Sequence, residues 1–163
     1  MKSAEHWLVH EHTQFEVLFR QLHDAADILD WWAIDQIFLK LVEQLRYHMA
    51  QEEEVLFPAY DARYDTVDIS SKISTAELCD EHSVIIEKFR QLEECMKSKQ
   101  SECVISIIVS LEMLMLFHNE KEEKIFLPFA SHLLFDDRDQ LSQRLDEFIV
   151  TDSSRNWEIK ILH

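Results

Sequence analysis

The sequence has no glycine and only two prolines in 163 residues. Without glycine there can be no Asn-Gly, Asp-Gly or Gly-Gly turn, so tight hairpins lose their favoured chemistry. Phosphate loops and dinucleotide fingerprints are excluded for a related reason. Each needs glycine where the backbone turns to positive φ or approaches a ligand closely. Basic residues are scarce: 16 lysines and arginines face 32 aspartates and glutamates, for a formal charge of −16. Such a field repels phosphate backbones and the anionic cytoplasmic leaflet, so no nucleic acid and no membrane is expected as partner. A protein partner or a homo-oligomer stays open. The three cysteines (Cys79, Cys95 and Cys103) are odd in number and form no Cys-x-x-Cys pair, so they are expected to be reduced. The opening MKSAEHWLVH has no apolar run, so no secretory leader is expected and the location is read as cytoplasmic. The most apolar stretch, Cys103 to Phe117, is broken by Glu112 and falls short of the ~20 residues of a membrane span. A buried helix is expected there.

Apolar residues make up 47% of the chain, which is too many for a disordered acidic segment and leaves an all-α globule. Four segments show helical periodicity. About residues 4–29 align Leu8, His12, Phe15, Phe19, Leu22, Ala26 and Leu29, and about 33–60 align Leu41, Leu45, His48, Glu52, Val55 and Leu56. After a polar linker around Asp61 to Thr75, a third helix carries Leu78, His82, Ile85, Phe89, Leu92 and Met96. The fourth, about 102–134, carries Ile107, Leu111, Met115, His118, Glu122, Ile125 and Phe129. Steps of three and four are those of a bundle seam. Asp136 and Asp137 are placed to cap a shorter fifth helix bearing Leu141, Leu145, Phe148 and Ile149. In the tail, Trp157, Ile159 and Ile161 are expected to be docked on the rest.

The chain repeats itself. Laying Glu11-His12 on Glu81-His82 also lays Phe19-Arg20-Gln21-Leu22 on Phe89-Arg90-Gln91-Leu92. It further lays His48 on His118, Glu52-Glu53 on Glu122-Glu123 and Pro58 on Pro128. Two copies are too few for a solenoid, whereas two helical hairpins related by a pseudo-twofold axis close into an up-down-up-down four-helix bundle. The bundle is expected over residues 1–135, with halves at about 8–60 and 78–130. The C-terminal helix and tail at 136–163 would pack on it.

The repeat preserves one polar set: His12, His48 and Glu52 in one half, His82, His118 and Glu122 in the other. Residues i and i+4 of each His-x-x-x-Glu leave the same helix face, and here that face is the apolar one. Burying a carboxylate in a seam costs several kcal/mol unless it is compensated. A cation with mixed nitrogen and oxygen preference would compensate all six groups at once. The other histidines lack the pattern. His6 and His10 turn away from His12, and His23, His132 and His163 have no repeat partner, so all five are read as surface residues. Glu11 and Glu81 are candidates for fixing an imidazole tautomer. Glu53 and Glu123 are read as bundle-edge salt-bridge partners, the alternative being spare ligands. Tyr47 and its repeat mate Phe117, with Met113 and Met115, are read as core packing.

If both carboxylates bridge, each of two ions receives two imidazoles and two carboxylate oxygens, and a bridging oxo, hydroxo or water makes five donors. A closed structural zinc site needs fewer. Mixed donors with open positions suit iron or manganese redox chemistry, with zinc kept as a further alternative. The Glu-x-x-His pattern of ferritin-like proteins is absent. The doubled His-x-x-x-Glu-Glu run ending in proline, His48 to Pro58 and His118 to Pro128, resembles the hemerythrin-like, HHE cation-binding family. That resemblance covers about residues 8–130. It implies a four-helix bundle with a non-haem di-iron centre, His12, His48, His82 and His118 as terminal ligands and Glu52 and Glu122 as bridges. Oxygen-carrying members have a fifth histidine on the third helix and an aspartate five residues after the last. Here Leu78 and Ile86 flank His82 at the four-residue spacing, and Glu123 takes the aspartate's place. The four-His, two-Glu set is instead similar to the branch holding the iron-centre repair proteins of nitrosative and oxidative stress. Those proteins also carry an N-terminal cysteine-containing domain, so their function is not carried over whole. Two functions stay open at this stage: a di-iron protein that binds, senses or reduces O₂, NO or peroxide, and a non-catalytic iron store, donor or sensing module.

Overall fold

A computed structural model describes residues 4–64 and 74–150, with the side chains of residues 4–7 and 64 excepted. Four long helical rods form the bundle. The first is α1 (Ala4–Asp27). The second runs through α2 (Trp31–Gln51), one π-helical turn (Glu52–Leu56) and α3 (Phe57–Tyr64). The third is α4 (Thr75–Lys97), and the fourth runs through α5 (Ser101–Lys121), a second π turn (Glu122–Phe126) and α6 (Leu127–Leu133). A 3₁₀ turn at Phe135–Asp137 leads into α7 (Arg138–Asp146). All described elements are helical, as the missing glycine and the periodicity imply. The expected docking of Trp157, Ile159 and Ile161, and the placement of His163, lie outside the described residues.

The two halves are joined alike. Leu29 (φ 56°) closes α1, and its repeat mate Lys99 (φ 48°) closes α4. The Leu29 N–H donates to the Ala26 carbonyl and the Asp30 N–H to that of Ala25. Lys99 and Gln100 donate in the same way to Met96 and Cys95. This is the left-handed cap that glycine usually supplies, built here from residues that sacrifice about 1 kcal/mol each to adopt it. Leu29 is therefore not on the core face expected of it but half-exposed. Asp30 then caps α2, its Oδ1 accepting from the Ala33 N–H at 3.1 Å.

Each π turn starts at a seam glutamate. The Phe57 N–H reaches the Glu52 carbonyl, and the Leu127 N–H that of Glu122, both one residue longer than an α-helical bond. The chain's two prolines follow at once, at 58 and 128. Proline has no N–H to donate and its ring crowds the carbonyl four residues back, so a widened turn ahead of it relieves both problems. The inserted residue rotates the helix face. Phe126, Leu127 and Ala130 are buried where an unbroken wheel puts Ile125 and Phe129, and Ile125 is exposed. Its repeat mate Val55 stays buried because α7 packs on the first π turn.

Helix α7 is held there by the Gln51 Nε2 donating to the Leu145 carbonyl (2.9 Å) and the Tyr47 hydroxyl to that of Phe148 (3.0 Å). Leu141 and Leu145 are buried as expected, while Ile149 is exposed. Asp137 sits at the cap position, but its carboxylate accepts from Arg63 (2.7 and 2.9 Å) instead of from the helix backbone. Two further expectations need correction. Cys95 and Cys103 form a disulfide across the α4–α5 turn, with Cα atoms 5.8 Å apart. The odd cysteine count concealed a pair that the hairpin brings face to face, and Cys79 stands outside the disulfide. The apolar Cys103–Phe117 stretch is also buried on one face only. Val109, Met113, Leu116 and Phe117 are 44–62% exposed, and the helical run Ser101–Leu133 is long and apolar enough by composition to cross a membrane.

Candidate metal centre

The core has two apolar layers. One packs around Phe19, Leu41, Phe89 and Leu111, the other around Leu8, Tyr60, Leu78 and Phe126. Between them lies a polar layer of six side chains: His12 from α1, His48 from α2, His82 from α4, His118 from α5, and Glu52 and Glu122 at the heads of the π turns. All six are at most 3% exposed. They fall into two groups of four, His12, His48, Glu52 and Glu122, and Glu52, His82, His118 and Glu122. Within each group one donor atom per residue lies within 4.8 Å of every other. Both glutamates belong to both groups. The structure thus brings together all six residues that the repeat singles out, and leaves His10, His23 and His132 outside the layer.

Four further carboxylates ring this layer. Nδ1 of His12 meets Glu123 at 2.7 Å, that of His48 meets Glu11 at 2.7 Å, that of His82 meets Glu53 at 2.8 Å and that of His118 meets Glu81 at 2.9 Å. The arrangement obeys the internal twofold, pairing Glu11 with Glu81 and Glu53 with Glu123. Glu11 and Glu81 act as the sequence suggests. Glu53 and Glu123 turn inward to hold imidazoles instead of sitting as salt-bridge partners at the bundle edge. Each reaches an imidazole on a neighbouring helix, Glu53 that of His82 and Glu123 that of His12, which the wheel of a single helix cannot show. Their recurrence in both repeats was the available signal. Lys121 steadies Glu81 and also bonds Glu77.

A carboxylate only accepts hydrogen bonds, so each Nδ1 carries its proton and each neutral ring turns the lone pair of Nε2 inward. Those lone pairs meet oxygens that also lack hydrogens. His48 Nε2 lies 3.2 Å from Glu52 Oε1, His82 Nε2 is 3.3 Å from Glu52 Oε2, and His12 and His118 Nε2 are each 3.2 Å from Glu122. The Nε2 atoms of His82 and His118 face one another at 3.1 Å. Nε2 of His12 and all four oxygens of Glu52 and Glu122 are buried without a hydrogen-bond partner. Two conditions satisfy such a set: cations between the acceptors, or protons on the rings. With protons alone, burial pulls the His48 pKa down, but Glu52 and Glu11 overcome this and hold it well above the ordinary value. His118 is similarly pulled down by burial yet pushed up to about 10 by Glu122 and Glu81. Burial and Glu122 raise Glu52, but His48 and His82 outweigh them and its pKa is lowered. Burial raises Glu122 too, and His118 and His12 bring it well below the usual range. The donor set therefore fits a metal: hard and borderline donors, four neutral imidazoles oriented from outside, and two carboxylates shared between groups.

This chain belongs to the hemerythrin HHE cation-binding domain family, whose match covers residues 3–130. No curated protein and no solved structure is similar enough to the chain to match it. The family defines a metal-binding helical bundle, and the converging histidines and glutamates are compatible with that role.

If the outer carboxylates fix the ring tautomers, Glu53→Ala should weaken metal binding roughly 10- to 100-fold, with Glu53→Gln falling between it and wild type. Competition against a chelator of known affinity measures this. Equal affinity in all three proteins would leave Glu53 as a surface salt bridge.

Proposed function

We propose that His12, His48, His82 and His118, with Glu52 and Glu122 shared between them, hold two iron ions, and that this centre binds, senses or reduces a small oxidant such as O₂, NO or peroxide. The observation that carries this reading is the buried cluster of facing acceptors, two groups of four donors that are each placed to hold one cation. When bound, the ions supply Lewis acidity and electrons. The chain's own residues orient the ligand rings and exclude bulk water. Phe57 stacks on His82 with ring centres 6.0 Å apart, and Phe15 meets His48 edge-on at 5.1 Å. These rings and the two apolar layers shield the centre, leaving no room for a bulky organic substrate.

A cavity of about 320 Å³ between α1 and α5 reaches down to Phe15, Met115 and Asn119. Asn119 is buried with its Oδ1 lacking a partner. The internal twofold provides a control. At the matching positions of the α2–α4 seam, Ile86 replaces Glu16, Val42 replaces Glu112 and Met49 replaces Asn119, and all three are buried. One seam is closed by apolar side chains and the other kept open by polar ones. The open seam suits a small, polar ligand in transit to the centre, and Asn119 offers it a hydrogen bond.

The stress-response role of the iron-centre repair branch, the bridging oxo, hydroxo or water and a cytoplasmic setting belong to this reading, with manganese or zinc as the metal alternatives. The test loads purified protein with ferrous iron without air and adds NO, O₂ or hydrogen peroxide. A ligand-dependent absorption band is expected, forming roughly tenfold more slowly when Asn119→Met narrows the open seam. Iron passed to an acceptor protein with no ligand-dependent change would instead mark an iron store or donor.

A further inference from the structure

The outward face of α5 has no counterpart elsewhere in the described bundle. Met113 follows Val109 by four residues, Leu116 and Phe117 follow Met113 by three and four, and the four are 44, 46, 47 and 62% exposed in chain order. Val84, across the α4–α5 groove that Leu114 and Phe117 line, is also exposed. Sequence duplication again supplies the control. At the matching positions α2 carries Glu43 for Met113, Arg46 for Leu116 and Tyr47 for Phe117, and in α4's mate Gln14 stands for Val84. Tyr47 is also covered by Phe148, their ring centres 5.8 Å apart. Leu39, the mate of Val109, packs partly on the core, so the same backbone surface is polar or partly covered in one half and apolar and uncovered, among the described residues, in the other. The core takes only one stripe of a bundle helix, so this second apolar stripe on α5 has no role in the bundle's own packing. The exposed parts of these five side chains amount to roughly 400 Å², at the scale where a patch marks an interaction site.

We propose that this face pairs with itself, α5 against α5 of a second copy, antiparallel about Met113. Three features select this occupant. The first is charge. Glu102 and Lys124 lie on the same stripe, each about 16 Å from Met113 but on opposite sides. An antiparallel pair sets Lys124 of each chain beside Glu102 of the other, and Phe117 beside Val109. Lys124 already reaches Glu120 at 2.6 Å, which leaves its remaining donors for the second carboxylate. The second is area. Two such patches bury roughly 800 Å² of apolar surface together, and the polar residues flanking them bring the total into the standard range. The third is symmetry, since one self-complementary patch on each copy gives a closed dimer and no filament. A lipid surface is the less suitable occupant. The −16 charge opposes an anionic leaflet, and α5 cannot leave the bundle without carrying His118 away from the core.

Sedimentation or light scattering on the full chain, over micromolar concentrations and with and without metal, tests the pairing. Wild type should approach twice the 19.5 kDa chain mass. Met113→Glu with Leu116→Arg, the residues that α2 carries, should raise the dimer Kd at least roughly a hundredfold with helicity and melting unchanged. Should that variant fail to fold, Lys124→Glu alone should raise Kd roughly tenfold, and adding Glu102→Lys should restore it. Wild type that stays monomeric, or a dimer that ignores all of these changes, overturns the proposal. So does flotation of monomeric wild type with zwitterionic vesicles, which would assign the face to lipid.

Discussion

Glu52→Ala is expected to lower metal content from two ions per chain to fewer than one, whereas His12→Ala should remove about one. The difference comes from geometry. Glu52 Oε1 faces His48 and its Oε2 faces His82, so one side chain spans both groups of donors, while His12 belongs to a single group. Removing Glu52 therefore opens both. The metal-free protein should suffer as well. A buried imidazolium that loses its carboxylate is left as an uncompensated charge, which costs about 3–5 kcal/mol. Elemental analysis after gel filtration measures the metal, and thermal unfolding in chelator measures the second effect. His10→Ala is the control, because His10 is exposed and outside the layer. Loss from His10→Ala equal to that from Glu52→Ala would mean that the buried layer is not where metal binds.

The parts of this molecule that sequence discloses are those governed by period and repetition. A step of three and four places Leu8, Phe19, Leu22, Phe89 and Leu111 in the core whatever their neighbours are. The duplication separates His12, His48, His82 and His118 from five other histidines. What sequence hides depends on local departures from that period. Glu53 and Glu123 reach imidazoles on neighbouring helices, and the second π turn rotates Ile125 into solvent, at which only the proline behind it hints. Leu29 and Lys99 take a backbone conformation that is unexpected in a glycine-free chain, because two short helix-helix turns impose it on whatever residue stands there. The Cys95–Cys103 bond follows from that same turn. The exposed side of α5 is hidden for another reason. Periodicity shows that Met113 and Phe117 are apolar, but only the assembled bundle shows that nothing in the described half covers them.

Protons and metal compete for the same Nε2 atoms, so the metal-free and metal-loaded proteins should respond to pH in opposite directions. Without metal, His48, His82 and His118 are all raised from an ordinary value of 6.5. A raised imidazole stabilises the fold fully below its unfolded value and loses that contribution as pH climbs through the folded one, which for His118 lies at about 10. Glu52 and Glu122 are lowered from 4.5, so their contribution is present above that value and is lost only as pH falls through the folded pKa. The metal-free protein should thus melt highest between about pH 5 and 6.5 and progressively lower toward pH 9. Loading the site requires neutral rings, so each displaced proton makes affinity rise up to roughly tenfold per pH unit until the rings are deprotonated. Metal bound only by the folded state stabilises it in proportion to the logarithm of that affinity, and the loaded protein should melt higher at pH 8 than at pH 6. Thermal unfolding across this range, with chelator and with excess metal, gives the two slopes. Metal titration in weak buffer should also release more than one proton per ion. Parallel slopes without proton release would mean that the imidazoles are neutral before metal arrives, and that the carboxylates around them do not hold the charge the geometry assigns.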